Sequence, residues 1–174
     1  MANRKPIKQA HEHFHVENFL NWLNHAYRTD FKVIAEPDPP EAIIKSSRRT
    51  SWVEISTAFL NSAYAQDVLS YATPGETHKS IAGGLTISPD EQFAHSLVGV
   101  IKKKLEKKSY FPFYEKYGPG YLVIPIHNPF LDEESMKRAK AVWSRTIIND
   151  FGYFRSIRVA YKSLGDWKLK LWKR

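Results

Sequence analysis

The chain has 174 residues, enough for one domain with a substantial core and too few for two comfortable ones. Hydrophobic residues at 43% and aromatics at 14% exclude a largely disordered chain, and a formal charge of +8 favours an acidic partner, most commonly a polyphosphate backbone. The absence of cysteine excludes disulfides, thiolate metal sites and cysteine nucleophiles; with no signal-like apolar start and no run near the roughly 18 apolar residues of a membrane span, the expected setting is the cytoplasm.

Residues 1–12 are polar and basic and read as a flexible arm ahead of a single domain over residues 13–174. Between residues 14 and 27, Val16, Phe19, Leu20, Leu23, Ala26 and Tyr27 recur at helical spacing and predict an amphipathic helix. Strands are expected at 31–35 and 41–46, parted by Pro37, Asp38, Pro39 and Pro40, which cannot continue a helix and suit a turn. A third strand, 50–56, alternates strictly: Val53 and Ile55 point to one face, Trp52, Glu54 and Ser56 to the other. Residues 57–71 are compatible with a second helix, and 73–88, rich in glycine and small polar residues, form a loop. Ser88 is the expected N-cap of a helix with Pro89 first and Asp90 and Glu91 in its opening turn, running to about Lys108. After a turn at 117–120, the apolar run 121–126 reads as a strand buried on both faces. A helix over 132–148 and strands at 156–161 and 167–172 complete the order, which predicts a mixed α/β sheet flanked by helices.

Two acids stand out in this frame: Glu41 opens the second strand and Glu54 lies on the third. Carboxylates converging from adjacent strands in a basic chain suit a hard divalent cation acting on phosphate, since Mg²⁺ takes carboxylate oxygens and keeps several waters.

The wording EPDPPEAI followed by WVEIS, in this order of elements, resembles the PD-(D/E)xK nuclease-like superfamily over about residues 14–126. The resemblance implies a restriction-endonuclease-like core (αβββαβ), here with two extra C-terminal strands, and a nuclease that hydrolyses DNA or RNA with Mg²⁺ or Mn²⁺. It implies Glu41 as the first metal-binding acid, with Asp38 as a competitor because Pro37-Asp38 is the literal dipeptide. It also implies Glu54 as the acid of the tripeptide and Glu17 as an additional ligand from the first helix.

Ser56 stands where the family carries its lysine, and a serine cannot supply that positive charge. Lys45, on the strand face of Glu41, is one replacement; Lys104 and Lys108 are the others. At about 100° per residue, Phe93, Leu97, Ile101 and Leu105 line one helix face, with Lys108 in that stripe and Lys104 at its edge, whereas Lys102, Lys103 and Lys107 point away. A helix that lays Lys104 or Lys108 over the strands makes an active site. One that does not leaves a remnant, a nucleic-acid-binding module without catalysis. Nucleic acid is the expected partner, a membrane is not, and a homodimer is compatible with the sequence.

A second motif, His11-Glu12-His13-Phe14-His15, satisfies HExxH, which on a helix supplies two imidazoles to zinc. It precedes any sheet that could form a substrate cleft and has no third ligand at a helical offset, so it reads as a polar lead-in to the first helix. Among the other histidines, His127 follows the buried strand and is the one placed to matter. Aromatic and basic residues interleave in SYFPFYEKYGPGY and WKLKLWKR, a pattern that stacks on bases; Trp167, Leu169 and Leu171 read first as the buried face of a last strand. An aromatic surface for a protein partner is the third function class these residues allow.

Overall fold

The computed structural model describes residues 5–81, 88–146, 151–163 and 166–173. The chain runs α1 (Lys5–Tyr27), β1 (Lys32–Ala35), β2 (Ala42–Lys45), β3 (Thr50–Ile55), β4 (Ala58–Phe59), α2 (Ser62–Ala72) and α3 (Pro89–Leu105). A 3₁₀ turn (Lys108–Tyr110), α4 (Phe111–Tyr117), β5 (Gly120–His127), α5 (Glu133–Arg145), β6 (Phe154–Ser163) and β7 (Asp166–Lys173) follow. The strands form a mixed, open seven-stranded sheet in the order β1-β2-β3-β5-β6-β7, with β4 paired to β5. β3, β5 and β6 are mutually parallel, and β1, β2 and β7 add antiparallel edges.

Both faces of this sheet are covered. Val16, Phe19, Leu20 and Leu23 of α1 pack on Ala42, Ile44, Val53, Ile55, Tyr121 and Val123. On the other face, Phe93, Leu97 and Ile101 of α3 and Ala139 of α5 pack on Ile43, Trp52, Leu122, Ile124, Ile157 and Val159. Each fully buried side chain of this size contributes about 1.5–3 kcal/mol by leaving water, so the two layers pin the register of the central strands. The alternation in β3 therefore sends Val53 and Ile55 toward α1, and Trp52 and Glu54 toward α3.

Several boundaries differ from the sequence reading. The expected arm is helical from Lys5 on, with residues 1–4 outside the described residues. Its first turns overhang the sheet, so Pro6, Lys8, Gln9 and Ala10 are exposed and no apolar stripe marks them; the stripe begins at His15 and Val16, where α1 meets the strands. The second helix starts later than expected because residues 58–59 first form β4, which resumes the pairing of β3 with β5 in the same register. Ser88 occupies the N-cap position of α3 in a left-handed conformation (φ 52°) and makes no side-chain capping hydrogen bond. That helix ends at Leu105, short of the expected Lys108, and the interleaved segment after it, for which no element was expected, contains α4. Residues 82–87 of the expected loop and 147–148 of the expected last helix lie outside the described residues. No helix among the described residues is long and apolar enough to cross a membrane.

A candidate metal and phosphate site at the carboxyl ends of the parallel strands

Continuing the β2–β3 register by one residue beyond Ala42↔Val53 sets Glu41 opposite Glu54, on the sheet face that α3 covers. Both carboxylates are withdrawn from solvent, Glu54 to 0% exposure and Glu41 to 9%. Glu54 Oε1 accepts the Lys104 ammonium from α3 in a short ion pair and the Tyr110 hydroxyl at 2.5 Å. Glu41 Oε2 accepts the Ile55 backbone N–H at 2.9 Å. The other oxygen of Glu54, Oε2, is buried with no fixed donor among the described residues.

The electrostatics follow from this crowding. Burial first, and then the adjacent Glu54 charge, push the Glu41 carboxyl up to about 9, so without a cation Glu41 keeps its proton at neutral pH and holds it toward Glu54. Burial, and again the Glu54 charge, raise the Tyr110 hydroxyl, which stays a donor. Tyr110 is itself held by a stack on Trp52 with ring centroids 5.4 Å apart, and Trp52 donates from Nε1 to Gly118 O at 2.9 Å. Gly120 accommodates that indole: a Cβ there would lie 2.3 Å from the Trp52 ring. The sequence from Trp52 to Gly120 thus sets the angle at which a hydroxyl meets Glu54.

A cavity of about 460 Å³ opens in front of the pair, beyond the carboxyl ends of β3 and β5. Clefts at the carboxyl ends of parallel strands are the usual ligand sites of open α/β sheets. Glu12, Asp38, Glu41 and Glu54 line this one together with Lys8, Lys104, Lys107, His11 and His127. Lys8 bridges Glu12 at 3.3 Å and Asp38 at 3.4 Å along the rim.

The sequence-predicted residues divide clearly. Glu41, Glu54 and Lys104 come together, and Asp38 lines the same cavity from an exposed turn, engaged by Lys8. Glu17 does not join them: it is exposed on α1, and the acid this helix presents to the cavity is Glu12, whose carboxyl burial raises despite Lys8. Lys45 is exposed at the far end of β2, paired with Thr50, so sharing a strand face with Glu41 does not bring it near. Lys108 is also exposed, in the 3₁₀ turn, because the helical phase that aimed it inward stops at Leu105. The same break turns Lys107, expected to point away, into the cavity wall with its ammonium 5.1 Å from the Tyr110 ring centroid.

Tyr110 and Glu12 are contributions that the sequence alone did not disclose. Tyr110 lies in the SYFPFY segment without a pattern to mark it, whereas Glu12 was visible inside HExxH but assigned to a lead-in. The HExxH residues are fully helical, and His11 and His15, one turn apart, meet His127 from the end of β5. The third imidazole comes from a strand, where a search at helical offsets does not reach.

Fold and cleft together define an α/β protein with a buried carboxylate pair, a lysine and a hydroxyl donor at one strand-end cavity. No protein-family model, curated protein or solved structure matches the chain.

Proposed function

We propose that the protein is a divalent-metal-dependent nuclease of the PD-(D/E)xK type, with nucleic acid as its substrate. The observation that carries this reading is the buried Glu41–Glu54 pair, which holds a proton where a cation would sit, with Lys104 on the Glu54 carboxylate. Two carboxylates this close repel unless a proton or a cation lies between them, and a hard cation fits an oxygen-only donor set. Support for a restriction-endonuclease-like core comes from the order α1, β1–β3, α3, β5, with β4, α2 and α4 inserted, Glu41 immediately ahead of β2 and Glu54 on β3.

Glu41 and Glu54 would hold Mg²⁺ or Mn²⁺, with Asp38 and Glu12 at the rim available through water. When bound, such a cation supplies a Lewis acid and a water of lowered pKa. The Lys104 ammonium takes the part of the lysine that Ser56 lacks: it neutralises negative charge as it develops on the phosphate. Tyr110 fixes the orientation of Glu54 by donating to Oε1. Lys8 and Lys107 at the cavity wall, within a chain of net charge +8, draw a phosphate backbone to the opening.

The test is cleavage of single- and double-stranded DNA and RNA with Mg²⁺ or Mn²⁺ against chelator. Cleavage is expected only with metal, and Glu54→Ala is expected to lower it by more than about a hundredfold, beyond the loss usual for a residue that merely orients a ligand. Undiminished cleavage in a folded Glu54→Ala chain would sink the assignment. Salt-sensitive binding without cleavage in any metal would leave a non-catalytic nucleic-acid module.

A further inference from the structure

The second wall of the cavity carries chemistry that the nuclease reading does not use. His11 and His15 lie at i and i+4 on α1 and so share one face, and His127 is the last residue of β5. One ligating nitrogen from each lies within 4.8 Å of the others, and Nε2 of His11 stands 3.1 Å from Nε2 of His127. Two imidazole nitrogens on one tetrahedral zinc ion are about 3.3 Å apart, from Zn–N bonds of about 2.0–2.1 Å. The closer pair already has that spacing.

His11 and His127 meet at that distance in an N–H···N hydrogen bond, which His15 does not share. His15 is 2% exposed, and its Nε2 has no hydrogen-bond partner among the described residues, a cost comparable to a lost hydrogen bond. Apolar rings collar the group: Trp167 lies edge-on to His15 with centroids 4.6 Å apart, and Phe59 is 5.4 Å from His127. Burial lowers all three imidazoles, His11 to about 4 and His15 to about 3, which keeps them in the neutral form that ligates metal. The positions are fixed by the fold at both ends. α1 packs its Val16–Leu23 stripe on the sheet, and β4 pairs with His127 through Phe59, with the next residue, Leu60, donating its N–H to the His127 carbonyl at 3.1 Å.

We propose that His11, His15 and His127 form a binding site for a divalent transition-metal ion of the zinc class, held by three imidazole nitrogens with its remaining position open to the cavity. Neutral nitrogen donors select zinc, cobalt or nickel over magnesium, which prefers the oxygen set of the opposite wall. His11 and His127 line the cavity themselves, so a fourth ligand, water or a substrate oxygen, enters from the side shared with Glu41 and Glu54. Three protein ligands and an open position are the pattern of reactive rather than structural zinc sites. The site stands on the imidazole cluster and is independent of whether the carboxylate pair cleaves phosphodiesters.

The test uses the untagged 174-residue chain, stripped of metal and titrated with Co²⁺. A visible absorption band of low-symmetry, nitrogen-ligated cobalt is expected at one equivalent, displaced by Zn²⁺ and unaffected by excess Mg²⁺. His11→Ala and His127→Ala should each weaken Co²⁺ binding by about a hundredfold or more, whereas Glu54→Gln should leave the band unchanged. The proposal is overturned by a spectrum of hydrated cobalt only, or by binding that moves with Glu54→Gln and not with the histidines. If the histidine variants do not fold, the imidazole resonances of the wild-type chain decide. Zn²⁺ should shift those of His11, His15 and His127 together, and unshifted resonances overturn the site.

Discussion

The two walls of the cavity withdraw ionisable groups from water by opposite means. On the carboxylate wall, one negative charge is kept and answered: Glu54 has the Lys104 ammonium and the Tyr110 hydroxyl, while Glu41 beside it keeps its proton until a cation replaces it. On the imidazole wall, charge is removed, since burial among aromatic rings leaves His11 and His15 neutral. The difference teaches what each wall is suited to receive. Oxygen donors with a residual negative charge suit a hard cation and its waters, and uncharged nitrogen donors suit a borderline one. The carboxylate wall is assembled from β2, β3, α3 and the 3₁₀ turn, whereas the imidazole wall needs only one helix face and the end of one strand.

Substitutions at the lysines give the largest contrast within the carboxylate wall. Lys104→Met should reduce metal-dependent cleavage by about ten- to a hundredfold and, by leaving Glu54 with one donor fewer, destabilise the fold by about 1–3 kcal/mol, less than a fully enclosed pair would lose because the Lys104 side chain is 22% exposed. Lys108→Met should change neither, and equal effects of the two in cleavage assays and urea titrations would break the assignment of the charge to Lys104.

A smaller effect is expected at Tyr110. Tyr110→Phe keeps the ring on Trp52 and removes one hydrogen bond to a carboxylate, worth about 1.5–3 kcal/mol, so the Mg²⁺ concentration for half-maximal cleavage should rise by about tenfold. An unchanged midpoint would mean that the hydroxyl does not orient Glu54.

The most diagnostic effect lies in pH. The folded, metal-free chain keeps the Glu41 proton up to about 9, while the unfolded chain sheds it in the ordinary carboxylate range, so stability falls as pH rises between those limits. The imidazoles act in the opposite sense. His11 and His15 stay neutral when folded but take up protons when unfolded below about 6.5, so stability falls as pH drops from there. Denaturation in chelator should therefore show an alkaline limb that Glu41→Gln flattens while leaving the acid limb in place. An alkaline limb unchanged by that substitution would break the distinction between the walls.

Much of the scaffold was readable from periodicity. The alternation in residues 50–56 and the apolar run of β5 fall on strands of the sheet, because burial on fixed faces imposes a period on the residues that face the core, and the proline turn falls between β1 and β2. The pairing of Glu41 with Glu54 was accessible for the same reason, through strands expected to be neighbours. Lys104 was accessible through the angular position of α3, although the same argument wrongly kept Lys108 and dismissed Lys107, because no capping residue announced the end of the helix at Leu105.

By itself, then, the sequence determined the mixed α/β character, the two acids and the segment from which a lysine would come. Only the tertiary structure decided which lysine reaches them, that Tyr110 joins them, that α1 offers Glu12 and not Glu17, and that an HExxH helix meets His127. The physical reason is one of range. Periodicity records which face of an element is buried along its own axis, while the meeting of His11, His15 and His127 depends on how far α1 overhangs the sheet and where β5 ends, quantities set by packing between elements that no local pattern encodes.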